Sequence, residues 1–177
     1  MKRAREDEPS VRVVVNRLGN EDDRDLLAVE IIARECFAES PFSPSEELAR
    51  PWSRLWAARF AEGEDPVGFL VAWHVADELH VLNVATRPAV RRCGVGRALM
   101  AEALAYSSEQ KIRILILEVR RSNRPAIKLY RDFGFTALGV RPGYYSDNNE
   151  DAVEMLLALD PETGRVLPGK DEIRIDG

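Results

Sequence analysis

Cysteine is scarce: the 177 residues hold two, Cys36 and Cys93, far apart in the chain. That count does not describe a disulfide framework and fits a reducing, cytoplasmic setting. Histidine is equally rare, and His74 and His80 lack the partner spacing of a zinc site, so no metal is expected. No apolar run approaches the roughly 20 residues of a membrane helix. The start, MKRAREDEPS, has basic residues without an apolar stretch behind them, so it reads as a charged flexible tail (1–10) rather than a secretory signal. No internal repeat or low-complexity tract occurs.

What is present describes one globular domain. Hydrophobic residues make up 45% and charged residues 31%, enough for a single core in a chain of this length. The net charge of −5 conceals an asymmetry: residues 87–132 carry eleven Lys or Arg against four acids, leaving the remainder at −12. A local basic stretch in an acidic chain points to an anionic ligand held at one place, with a solvated basic face as the alternative. Aromatic residues are not interleaved with the basic ones as nucleic-acid stacking needs, so a nucleic-acid partner is not expected.

Along the chain, VRVVVNRL (11–18) is β-branched and predicts a strand. EDDRDLLAVEIIARECFAES places Leu26, Val29, Ala33 and Phe37 near helical spacing, and the prolines of SPFSPSEE end that helix. A second helix is predicted from Ser45, carrying Leu48, Trp52, Leu55, Trp56 and Phe60, with Pro51 kinking or delaying it. PVGFLVAWHV and ELHVLNVATRP form a predicted hairpin. A glycine-bearing helix, the strand KIRILILEVR and the short helix NRPAIKLYRDFGF follow. TALGVRP and AVEMLLAL predict two closing strands, with GYYSDNNED as their loop. The domain spans 11–160 with a mixed α/β order, and 161–177 reads as a loosely attached tail.

The segment RRCGVGR (91–97) puts Gly94 and Gly96 at a helix start. Glycine there lets a ligand approach the backbone, and the free N–H groups of the first turn, at the positive end of the helix dipole, bind anions. The spacing is neither that of a P-loop nor that of a dinucleotide fingerprint. In IRILILEV, period two places Glu118 on the face of Ile112, Ile114 and Ile116. A carboxylate there lies either at an exposed strand end or in a cleft, where desolvation favours the general-base role. Asn123 suits an N-cap and Gly134 a helix stop. Tyr130 shares an apolar face with Ile127, the place of a core residue on spacing alone.

Arg91-x-x-Gly94-x-Gly96 after a strand, with LEVRRSNRPAIKLYRDFGF and GYYSDNNEDAVEM in this order, resembles the GNAT superfamily of acetyl-CoA-dependent N-acetyltransferases. Within it the blocks are similar to the RimI-type branch, named for acetylating the N-terminus of a ribosomal protein. The resemblance implies a GNAT fold: a mixed, mostly antiparallel central sheet of about six to seven strands flanked by about four helices. It implies acetyl-CoA as co-substrate, along the strand at Val84, Ala85 and Thr86. The pyrophosphate would lie on Arg91, Arg92, Cys93, Gly94, Val95, Gly96 and Arg97, with Asn123 as a further contact. It also implies Glu118 as general base, Tyr130 as the acid protonating the departing thiolate, and Tyr144 and Tyr145 beside the acceptor groove. The acceptor is then a protein N-terminus, ribosomal in the namesake; a lysine side chain or a small amine is the alternative within the superfamily. No membrane partner is expected.

Overall fold

The computed structural model describes residues 12–37 and 42–175; the expected tail, 1–10, lies outside them. The elements are β1 (Val14–Arg17), α1 (Asp23–Cys36), α2 (Pro44–Leu48), β2 (Ser53–Arg59), β3 (Gly68–Val75), β4 (Glu78–Thr86), α3 (Val95–Glu109), β5 (Ile114–Arg120), α4 (Arg124–Phe133), β6 (Thr136–Tyr145) and β7 (Glu150–Ala158). The strands form one sheet in the order β1-β2-β3-β4-β5-β7-β6, antiparallel except for β4 beside β5. The mixed, mostly antiparallel sheet with four helices is thus the architecture the resemblance implies.

Alternation along the strands builds two cores. Trp56 and Ala58, Leu70 and Ala72, Leu79 and Val81, and Leu115, Leu117 and Val119 point to the face covered by α3 and α4. Leu55, Ala57, Phe69 and Val71 point to the other face, beneath Leu26, Val29, Ile32 and Ala33 of α1. On that second face α1 and α2 lie over β2, β3 and β4, so the β5, β7 and β6 part of the sheet is left half-covered there.

Three expectations need correction. The second helix stops after one turn: Ser43 caps it, Pro44 opens it, and Ser53–Arg59 is a strand. Leu55, Trp56, Ala57 and Ala58 are all buried because both faces of β2 are covered. A strand covered on both faces has no polar/apolar alternation, and its continuous apolar run is indistinguishable from a buried helix by periodicity. The GYY stretch is not loop: β6 continues through Tyr145, and the turn occupies 146–149. The carboxyl-terminal segment, as far as it is described, is docked rather than loose. Ile175 is buried, Glu172 N donates to the Ala137 carbonyl at 2.8 Å, and Asp171 accepts from Ala137 N at 2.8 Å. These bonds cap the outer edge of β6, a role that needs backbone groups and one carboxylate rather than an apolar stripe.

Gly68 fixes how closely α3 seats on the sheet. A Cβ at this position would lie 2.6 Å from Val95 Cγ1 and 2.7 Å from the Ala85 carbonyl oxygen. Gly68→Ala therefore forces the start of α3 away from β4 and is expected to cost about 1–3 kcal/mol, the usual scale for overpacking. Denaturant unfolding should show a lower midpoint with an unchanged slope; an unchanged midpoint would mean that the contact relaxes freely.

Candidate active site

The site begins where the β4–β5 ladder stops. The parallel register runs from Glu78↔Ile114 to Val81↔Leu117, yet β4 continues to Thr86 and β5 to Arg120. The next residue on β4, Leu82, is an extra residue against β3: Val71 pairs with Asn83 and Ala72 with Val81. Such a bulge bends the strand and reverses its side-chain parity. Leu79 and Val81 face α3, whereas Ala85, beyond the bulge, faces α1. The two strands therefore diverge into a gap.

On the β4 side of the gap stand Val84, Ala85 and Thr86. Ala85 is buried beneath α1, so what it offers a ligand is its backbone. The end of α1 braces this strand end: Cys36 Sγ donates to the Thr86 carbonyl at 3.5 Å, and Arg87 pairs with Glu35 at 3.6 Å. Burial pushes the Cys36 thiol up from its ordinary value.

After β4 the chain makes a short 3-10 turn at Pro88–Val90 and enters α3. Gly94, at φ +85°, is its N-cap and supplies no side-chain cap, and the first intrahelical bond runs from Ala98 N to the Gly94 carbonyl. The N–H groups of Val95, Gly96 and Arg97 thus precede the ladder, with no acidic residue in the first turn. Arg92 also adopts a left-handed conformation, at φ +70°. A Cβ on Gly96 would sit 3.4 Å from Leu129 Cδ2 and 4.0 Å from Thr86 Oγ1, so the helix start lies close to both α4 and β4. The arginine side chains divide. Arg97 pairs with Asp132 at 2.8 Å and lies over Phe133, while Arg91 turns back to the Thr86 carbonyl at 3.5 Å. Arg92 and Cys93 are exposed.

Across the gap, Glu118 lies on the half-covered face of β5, directly opposite Glu154 of β7. Arg141 of β6 reaches both carboxylates, Nη1 to Glu118 Oε1 at 3.2 Å and Nη2 to Glu154 Oε1 at 3.1 Å. Tyr130 approaches from α4, on the opposite side of the sheet, in the core with Phe135. Burial raises its hydroxyl well above the ordinary phenol range, so it is a protonated donor at neutral pH. Asn123 caps α4, its Oδ1 accepting from Ala126 N at 3.3 Å.

The Glu118 carboxylate is among the lesser causes that raise the Tyr145 hydroxyl, and Tyr145 is a lesser cause than burial of the raised Tyr130 hydroxyl. Its own hydroxyl is raised to about 12, chiefly by burial. Tyr144 is more exposed and meets Tyr145 edge-on at 5.2 Å. Among the described residues no three His, Cys, Asp or Glu side chains are grouped to hold a metal ion.

This layout pairs a helix start with a splayed sheet, and the sequence agrees with it: residues 26–135 match the acetyltransferase (GNAT) family. The chain belongs to the GNAT family. It is 30% identical over 147 residues to the [ribosomal protein bS18]-alanine N-acetyltransferase of Escherichia coli K12, covering 82% of this chain and 99% of that one. A protein of Bacillus subtilis named as a putative enzyme of the same activity is 39% identical over 92 residues, which span 52% of this chain and 61% of that relative. The crystal structure of the E. coli ribosomal-protein alanine N-acetyltransferase superposes with a TM-score of 0.71 at 28% identity, over 83% of this chain and 94% of that one. As a GNAT protein of this branch, the chain is an acetyl-CoA-dependent N-acetyltransferase.

Sequence reasoning missed Glu154, Arg141 and Arg120 in this GNAT domain. Glu154 carried the same signal as Glu118, a carboxylate interrupting an apolar strand run, between Val153 and Met155. Arg120 holds the β6–β7 hairpin: it pairs with both Asp147 oxygens at 2.9 and 2.8 Å and with Glu150 at 3.2 Å, and its guanidinium lies 3.9 Å from the Tyr145 ring centre. Hydrogen bonds from the Ser122 side chain and backbone N–H, then from Asn148 and Arg120, lower Glu150 to about 2.

A depressed carboxylate contributes stability that is fully present above its unfolded value and lost as pH falls through the folded one. Glu150→Gln is therefore expected to lower Tm at neutral pH. The deficit should shrink as pH falls from about 4.5 toward 2. A deficit that stays constant over that window in paired thermal melts would show that the Glu150 charge does not hold the hairpin.

Proposed function

We propose that the protein transfers the acetyl group of acetyl-CoA to the α-amine of a protein N-terminus by direct attack, with Glu118 as general base and Tyr130 as general acid. The observation that supports the mechanism is that the β4–β5 pairing ends at Val81 and Leu117, with Glu118 next on the half-covered face of β5 and Tyr130 of α4 on the other side of the sheet. An acceptor amine arriving on the open face meets Glu118. A thioester running along Val84, Ala85 and Thr86 presents its sulfur toward α4, where Tyr130 has a proton to give.

The first-turn N–H groups of α3 suit the pyrophosphate of the co-substrate, with Arg92, Cys93 and Gly94 leading into them and Arg91 and Arg97 bracketing the loop. Asn123, at the start of α4, stands as a further contact. Backbone N–H groups at the divergent end of β4 suit the developing oxyanion. Tyr144 and Tyr145 line the acceptor side. The reaction needs no metal, because the base and the acid are both side chains.

The ribosomal N-terminus as acceptor is supported by the likeness to the E. coli enzyme over nearly that enzyme's whole length. Proton energetics agree with an α-amine: deprotonation at pH 7 costs about 1 kcal/mol, against about 4.6 kcal/mol for a lysine side chain. A ribosomal acceptor places the enzyme in the cytoplasm, with a protein rather than a nucleic acid as its partner.

CoA release should be measured with peptides bearing free N-termini, alanine first among them, beside N-terminally blocked lysine peptides and polyamines. Turnover confined to free N-termini is expected; turnover confined to lysine or polyamines would move the acceptor to a side chain or small amine. Glu118→Gln should lower kcat by at least about 100-fold with CoA affinity retained, the scale of a general base. Tyr130→Phe should lower kcat in the same way. Full activity of both variants would overturn the mechanism.

A further inference from the structure

Two carboxylates directly opposite one another on neighbouring antiparallel strands repel, and the pair is destabilising unless a cation lies between them. Glu118 and Glu154 are such a pair. Gly139 of β6 lies opposite Glu154 on its other side.

The cation is Arg141, and its mode of binding matters. It gives one nitrogen to each carboxylate, at 3.2 and 3.1 Å, rather than the two-nitrogen fork that makes an arginine–carboxylate pair strong. Its side chain is 50% exposed, against 23% and 22% for the two carboxylates. The guanidinium thus sits over the pair from the solvent side, beside the Tyr144 ring at 5.7 Å. That is the direction from which an acceptor amine must reach Glu118.

We infer that Arg141 is a displaceable counter-ion and that Glu154 is the positioning residue that receives it: when the acceptor's ammonium group reaches Glu118, the guanidinium is handed to Glu154 and the base is freed. The inference rests on Glu118 being the general base. The step is an exchange of ion pairs, and no covalent bond changes. The acceptor arrives as a cation, so the guanidinium competes with it for the same carboxylate, and a second carboxylate within reach lowers the cost of the exchange. Glu154 thereby sets how readily the acceptor, but not acetyl-CoA, is engaged.

The charged and titratable groups around Glu118 are Arg141, Tyr144 and Tyr145 on β6, Glu154 and Glu150 on β7, and Arg120 on β5 itself. On β4, His80 lies across from Ile116 and is paired with Glu78 at 2.7 Å. None of these but Arg141 is ion-paired to Glu118 among the described residues.

The test is steady-state kinetics of the full-length protein across a pH series, with acceptor peptide and acetyl-CoA varied separately. Glu154→Gln leaves the guanidinium on Glu118 alone. The acceptor KM should then rise roughly tenfold with the acetyl-CoA KM unchanged. The acidic limb of kcat/KM should move down, because the like charge opposite Glu118 is gone and the guanidinium is left to it alone. Arg141→Gln removes the counter-ion, and the limb should move up without a rise in acceptor KM. Glu154→Asp, which keeps the charge, should restore most of the acceptor KM.

Equal changes in both KM values, or a limb that stays in place in both variants, would overturn the inference. Glu118→Gln, assayed alongside, separates the two failures. If it is inactive while Glu154→Gln behaves as wild type, only the handover fails; if it is fully active, the base assignment itself fails.

Discussion

Strands β4 and β5 run parallel, and parallel neighbours cannot be joined by a tight turn, so the chain must cross over one face of the sheet between them. Helix α3 makes that crossover, and it has to begin where β4 ends. The bulge at Leu82 bends β4 away from β5 at the same point, after the Val81↔Leu117 pairing. Crossover and bulge together place a helix start without a side-chain cap beside a strand end that has left its parallel neighbour. In parallel-sheet proteins ligands bind at the carboxyl ends of strands for this reason. Gly68 lets α3 seat against β4 closely enough for the arrangement to hold.

The two halves of the site are built from different materials. The half proposed for the donor is mostly backbone: helix N–H groups, a glycine cap and the main chain of β4, with Arg97 tied to Asp132 and Arg91 turned to the Thr86 carbonyl. Backbone groups read a phosphate or an amide through geometry and are indifferent to most substitutions. The half proposed for the acceptor is side chains: Glu118, Glu154, Arg141, Tyr144, Tyr145 and the Arg120 network that holds the hairpin. Charge and shape there change with single substitutions.

That division also explains what the sequence could show. The glycines of RRCGVGR, the Asn–Pro start of α4 and the period-two placement of Glu118 are local signals with local causes, and each element appears where those signals put it. Strand β2 is not legible as a strand because burial on both faces erases alternation. The docked segment around Asp171 and Ile175 was misread because its attachment runs through backbone bonds to Ala137, which composition does not record. Glu154 and Arg141 become partners of Glu118 only through the order β5-β7-β6, in which β7 lies between β5 and β6. Neither residue is within a dozen positions of Glu118, so no spacing rule could have joined them.

Tyr145 shows how the two halves are held in register. Its backbone ends β6, where it pairs with Glu150, and its ring rests on Arg120 of β5. Arg120 in turn grips Asp147 and Glu150 across the β6–β7 turn. A displacement of the hairpin therefore has to move Tyr145, and with β6 it moves Arg141, which is paired with Glu118. The β6–β7 hairpin is thus mechanically continuous with Glu118. On the proposed role of Glu118 as base, an acceptor that shifts the hairpin would also move Arg141, the ion-pair partner of that base.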